Sequence, residues 1–109
     1  MRVFFHIPAN SPPGRDVEVL EGPRAELASY NYQVARSVER VPLKRFPGRP
    51  EIRYFGPGQA AAAEQLKVYL DHEFGAEDLE FRTKEIGADV KGFPPQNLEV
   101  WIPSPALIQ

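Results

Sequence analysis

The 109-residue chain contains no cysteine. That removes thiol nucleophiles, disulfides and thiolate metal sites, and it gives no indication of redox compartment. Histidine is scarce: His6 and His72 are the only two, with no His-Glu-x-x-His or comparable ligand spacing, so no metal site is expected. Ser11, Ser29, Ser37 and Ser104 sit in no nucleophile elbow, and no triad can be argued from them. No catalytic residue is assigned and no cofactor is expected. Apolar runs are short, none approaching the roughly 20 residues of a membrane span. The opening MRVFFHIPA reads as a strand and is too short for a signal peptide. A basic surplus is also missing. With 13 Lys and Arg against 15 Asp and Glu, the net charge is -2, which argues against a nucleic-acid partner.

What is present is enough for one small core, so residues 1–109 are read as a single α+β domain. Twelve prolines punctuate the chain. They place loops at 9–22 and 86–97, the latter broken by Gly87, Gly92 and Pro94-Pro95, and leave 104–109 as a tail. The clearest unit is Glu51 to Gly75. Ile52 and Tyr54 alternate with Arg53 and Phe55 in a strand, Gly56-Pro57-Gly58 breaks it, and an Ala-rich helix follows from Gln59. Ala62, Leu66, Tyr69, Leu70 and Phe74 form the helix's apolar stripe, with Glu64, Lys67, Asp71 and His72 nearer solvent and Gly75 as its C′ residue.

Elsewhere, Arg2–Ile7 predicts an opening strand and Leu98–Ile102 a closing one. Asp16–Leu20 reads as a short extra strand or extended lead-in, and Gly22-Pro23 restarts the chain into a helix over 24–38. Val38–Leu43 is a strand end, Arg45–Pro50 a turn, and Asp78–Thr83 a short strand or edge segment. The order strand, helix, strand, strand, helix, strand predicts a ferredoxin-like two-layer sandwich, a four-stranded antiparallel sheet with two helices on one face.

Alternation assigns Val3, Phe5, Ile7, Ile52, Tyr54, Leu98, Val100 and Ile102 to the helix-facing side. The opposite side receives Phe4, His6, Arg53, Phe55, Glu99 and Trp101. Of these, Phe4, His6, Arg53, Phe55 and Trp101 make the candidate ligand- or partner-binding set, because aromatic rings stack on sugars or bases and arginine bonds or stacks beside them. Two readings stay open: a ligand platform, or a surface covered by a second copy, the proline-rich loops or the rest of a longer protein. The placement also suits an RNA-recognition sheet, against which the acidic balance and the missing Gly-aromatic motif both count. Gly56-Pro57-Gly58 lacks the lysine and glycine spacing of a phosphate loop and is read as a turn. Asp71, Glu73, Glu77, Asp78 and Glu80 form an acidic cluster, and Arg40, Lys44, Arg45 and Arg49 a basic one, both read first as solvated surface.

The pairing of EIRYFGPGQAAAAEQLKVYL with the terminal PPQNLEVWIP resembles the small C-terminal domains of the bacterial LytR C-terminal and SPOR-like group. The likeness covers Glu51–Phe74 and Asn97–Pro103, about half the chain, with RVFFHI matching in a general way as the opening strand. It implies a non-enzymatic module that binds peptidoglycan glycan or a protein partner through its sheet face in the cell envelope. The alternative is a dimerisation or interaction domain of a larger bacterial protein. Long proline-rich loops and the unmatched first half depart from the SPOR pattern.

Overall fold

The computed structural model describes residues 1–74, 80–87 and 96–103. In chain order the elements are β1 (Arg2–Pro8), α1 (Arg15–Ala28), β2 (Gln33–Val34), β3 (Glu39–Val41), β4 (Glu51–Phe55), α2 (Ala60–Glu73), β5 (Arg82–Ile86) and β6 (Asn97–Trp101), with single 3₁₀ turns at Leu43–Arg45 and Pro57–Gln59. The fold is α+β. The sheet is mixed, with six strands in the order β2-β1-β6-β4-β5 and β3 also paired to β1.

Two βαβ units build this sheet. In the first, α1 carries the chain from β1 to β2 and β3, two short pieces that run parallel to successive stretches of β1. In the second, α2 joins β4 to its parallel neighbour β5. The last strand enters between them, parallel to β1 and antiparallel to β4. The expected four-stranded antiparallel ferredoxin-like sheet is therefore corrected to a mixed one. The cause lies in residues 33–41, largely assigned to a helix by sequence but here extended along β1.

The first helix explains the shift. It starts and ends earlier than the expected 24–38, and the lead-in at 16–20 is part of it. Asp16-Val17-Glu18-Val19-Leu20 alternates like a strand, yet the residues buried are Val19, Leu20, Pro23 and Leu27, a 3.6-period stripe. Pro23 sits inside the helix, its ring in the buried stripe, so Gly22-Pro23 interrupts the backbone ladder without restarting the chain. A Schellman-type stop follows. Asn31 takes the left-handed conformation at φ 68°, its N–H donating to the Ala28 carbonyl (3.3 Å) and the Tyr32 N–H to the Leu27 carbonyl (3.1 Å). Tyr32 and Leu27 then share the core.

The second unit follows its sequence closely. Gly56, at φ 96°, makes the turn out of β4, and α2 buries Ala63, Leu66 and Leu70 with Ala62, Tyr69 and Phe74 packed at the margin. Gly75, expected as its C′ residue, lies outside the described residues, as do Gly92, Pro94-Pro95 and 104–109. The strand expected at 78–83 is found at Arg82–Ile86.

Both helices cover one sheet face. Val3, Phe5 and Ile7 of β1, Ile52 of β4, and Leu98 and Val100 of β6, with Ile102 just beyond it, join the helix residues in one core, with Tyr54 packed at its edge. That is the helix-facing set read from alternation. The Tyr32 hydroxyl ties the helices together, donating to the Ala62 carbonyl at 2.8 Å.

Candidate functional site

The other sheet face is built in cross-strand rows. Pairing places Glu39, His6, Trp101, Glu51 and Arg82 in one row running from β3 to β5. The next row holds Phe4, Glu99, Arg53 and Lys84. Side chains opposite one another on neighbouring strands lie about 4.5–5.5 Å apart at Cβ, so each row is a line of contacts.

Trp101 is the hub. From β1, the His6 ring stacks on it at 4.3 Å between centroids and 2° between planes. From β4, the Arg53 guanidinium carbon lies 4.3 Å from the indole centroid, a cation–π contact. Phe46, in the segment that follows β3, meets the indole edge-on at 5.0 Å. The indole N–H donates to Glu99 Oε1 at 3.0 Å, leaving Trp101 only 6% exposed.

Glu51 anchors the second half of the row and is fully buried. Arg53 Nε donates to its Oε2 at 2.6 Å, and Arg82 Nε donates to its Oε1 at 2.8 Å. Burial pulls the Glu51 pKa upward, but hydrogen bonds from Arg53 and Arg82 outweigh it and hold the carboxyl below its ordinary value. Glu51 is thus a fixed carboxylate at neutral pH.

His6 experiences the opposite outcome. Its Nδ1 lies 3.3 Å from the Val100 carbonyl and its Nε2 lies 3.4 Å from the Glu39 carboxylate, two acceptors of which the neutral ring can donate to one and the protonated ring to both. Burial lowers its pKa and prevails over Glu99, Val100 and Glu39, which favour the charged ring.

The five residues proposed from sequence divide in this geometry. His6 and Arg53 both contact Trp101, one from β1 and one from β4. Phe4 lies one row away and is half-buried, while Phe55 is buried further along β4. Phe46, Glu51 and Arg82 complete the cluster and were not in the sequence-derived set. Alternation alone puts Glu51 on this face beside Arg53. Phe46 and Arg82 carry no such signal, because their approach depends on chain reversal and strand pairing.

The charged clusters also resolve. Arg40 is structural: it pairs with Asp16 at 2.5 Å and donates to the carbonyls of Ala9, Ser11 and Pro12, clamping the start of α1. Asp71 accepts from Lys67 (2.5 Å) and from the Phe81 backbone N–H (2.7 Å), fastening the lead-in of β5 to α2. Glu77 and Asp78 lie outside the described residues. Among those described, no group of three or more His, Asp or Glu could hold a metal ion. No helix among them is long and apolar enough to cross a membrane.

Two grooves lie away from the cluster. One of about 430 Å³ runs between the helices, lined by Leu27, Tyr30, Tyr32, Val68, Tyr69 and His72 among others. A second, about 590 Å³, follows β2 and is lined by Arg2, Phe4, Arg24, Tyr32, Val34 and Arg36 among others. No family model, characterised protein or solved structure matches this chain.

Proposed function

We propose that the chain is a non-enzymatic binding and assembly module, using the outer sheet face to engage envelope glycan or a protein partner. The carrying observation is the closed network around Trp101. Glu51 is held as an anion by two arginines, and the buried His6 is stacked on Trp101 with its ring nitrogens beside the Val100 carbonyl and the Glu39 carboxylate. Stacking, a cation–π contact and charge-assisted hydrogen bonds lock these side chains together, so the cluster holds a rigid surface. Phe4, Arg53, Lys84 and Arg82 remain partly or fully open on that surface. The two-layer build suits this use, with both helices on the far side. The stretches that resemble the LytR C-terminal and SPOR-like group form β4, α2 and β6, and the resemblance favours glycan and a cell-envelope location.

The test is co-sedimentation with purified peptidoglycan sacculi. Wild-type chain should pellet, and Phe4→Ala with Lys84→Glu should reduce the pelleted fraction several-fold while leaving the melting transition in place. Equal pelleting of the double variant would overturn binding by this face.

A second reading, a dimerisation domain of a larger bacterial protein, is favoured by the groove between the helices, where Tyr30 and Val68 stand exposed. Light scattering decides it. A dimer that becomes monomeric on Val68→Glu supports self-association through the helices, and a monomeric wild type removes it.

A further inference from the structure

The arginines of this chain fall into two populations. Arg15, Arg40, Arg53 and Arg82 each hold a carboxylate oxygen at 2.5–2.7 Å. Arg2, Arg24, Arg36, Arg45 and Arg49 hold none among the described residues, and the first three of these stand together, although the net charge is negative and acidic partners are abundant. Arg2, Arg24 and Arg36 line the groove along β2. Arg24 Nη2 donates to the backbone carbonyl of Arg36 at 3.2 Å, fixing the Arg24 guanidinium beside the chain that follows β2. Asp16 and Glu21 line the adjoining groove, but Asp16 is already taken by Arg40. Three guanidinium groups with no ion pair among the described residues, Glu21 included, surround one concavity and form a site of positive potential on an acidic protein.

The backbone beside them narrows what would fill it. β2 is the terminal strand of the sheet. The Gln33 N–H donates inward to the Met1 carbonyl at 2.7 Å, and the Ala35 N–H to the Val3 carbonyl at 2.9 Å. In a parallel ladder the intervening residue directs its groups the other way, so the Val34 N–H and C=O face outward along the open edge. Phe4, Tyr32 and Val34 supply apolar surface in the same groove. An isolated phosphate would use only the arginines. An extended peptide with carboxylates on alternate residues would use the arginines, the apolar surface and the free backbone groups together.

We infer that the β2 edge docks an acidic peptide segment, taken up as an added strand whose carboxylates meet Arg2, Arg24 and Arg36. The arginines and the β2 edge stand apart from the Trp101 cluster, and Phe4 is the residue that this groove shares with the outer sheet face. β2 is only two residues long, so backbone pairing supplies register while the arginines supply most of the affinity. Binding should therefore weaken with added salt.

The experiment is fluorescence anisotropy on the full chain with a labelled (Glu-Val)4 peptide. Two competitors are used: the same peptide N-methylated at alternate backbone positions, and inorganic polyphosphate. Binding should fall at least tenfold in Arg24→Glu/Arg36→Glu and at least tenfold for the N-methylated peptide. Both arginines are exposed, so the variant should keep the wild-type melting transition, and Arg2→Gln/Arg36→Gln provides a milder check with the same direction of effect. Absence of binding, or binding unchanged by either double variant, overturns the proposal. N-methylated peptide or polyphosphate competing as well as the parent peptide also overturns it, leaving an anion site without strand addition.

Discussion

The two βαβ halves reach the same topology by different means. Both contain a 14-residue helix returning to a parallel edge strand. In the second half, α2 opens on four consecutive alanines and lacks internal glycine or proline, and β5 pairs with β4 over five residues. In the first, α1 contains Gly22 and Pro23, and its returning chain is split into β2 and β3. Gly and Pro cost about 1 and 3 kcal/mol relative to alanine in a helix interior. That deficit is met by tertiary fastening: the Arg40 clamp at the start of α1, the Asn31 stop at its end, and the buried stripe from Val19 to Leu27. Intrinsic propensity builds one half, and long-range contacts impose the same shape on the other.

The contrast can be broken most severely where the second half meets the sheet centre. Glu51→Ala leaves Arg53 and Arg82 without their shared carboxylate; both are partly exposed and can rehydrate, so the expected loss is that of hydrogen bonds to a charged group, about 1.5–3 kcal/mol. Denaturant unfolding should show that loss. A change below about 1 kcal/mol would mean that the network does not secure β4 to β5. Next in size is Arg40→Ala, with an expected cost of about 1–2 kcal/mol, since several bonds from one partly exposed cation are lost. Amide exchange should accelerate in residues 9–20 and stay unchanged in β4 and α2. Uniform acceleration would show that the halves unfold together and that the clamp is not local.

The outer-face anchors of the two halves should also titrate in different windows. His6 has a folded pKa below its ordinary 6.5, so the unfolded chain takes up the proton first on acidification. Its contribution is complete above pH 6.5 and is lost as the pH falls towards the folded value. Glu51, held below 4.5, contributes fully above that pH and loses stability only in more acidic solution. Thermal melts across pH 7 to 5 should show a declining limb in wild type that is flattened by His6→Phe. An identical slope in the variant would assign that limb to another group. The smallest effect expected is a gain. Gly22→Ala should stabilise by about 0.5–1 kcal/mol, narrowing the difference between the helices. The new Cβ would stand 2.7 Å from Glu73 Oε1, the far end of an exposed side chain that can swing away at the expense of its long, 3.5 Å bond from the Tyr69 hydroxyl. A lower melting temperature would show that Glu73 is held in place.

Most of the second half was legible because local signals agreed with one another. Alternation at Ile52–Phe55, the Gly56 turn and the α2 stripe each rest on neighbours in sequence. The first half misled where two periodicities overlapped: Val17 and Val19 alternate as in a strand, while Val19, Pro23 and Leu27 follow a helix. Asn31 was the available signal for the helix end, since asparagine tolerates the left-handed conformation that closes a Schellman motif. Within the candidate site, alternation identified His6, Arg53 and Trp101 on a common face. It could not foresee that Phe46 and Arg82 would close in around them.

Sequence by itself determined the apolar face of the sheet, the central strand and the Ala-rich helix, because side-chain direction and helix propensity are set within a few residues. Tertiary structure alone decided which strands are parallel and where β6 inserts. It also decided that Trp101 lies beneath His6, Arg53 and Phe46 and that Arg2, Arg24 and Arg36 share one groove. These relations join residues as many as 95 positions apart in the β1–β6 pairing of Arg2 with Asn97. No local periodicity encodes such contacts, which arise from burying the common core and satisfying the polar groups enclosed with it.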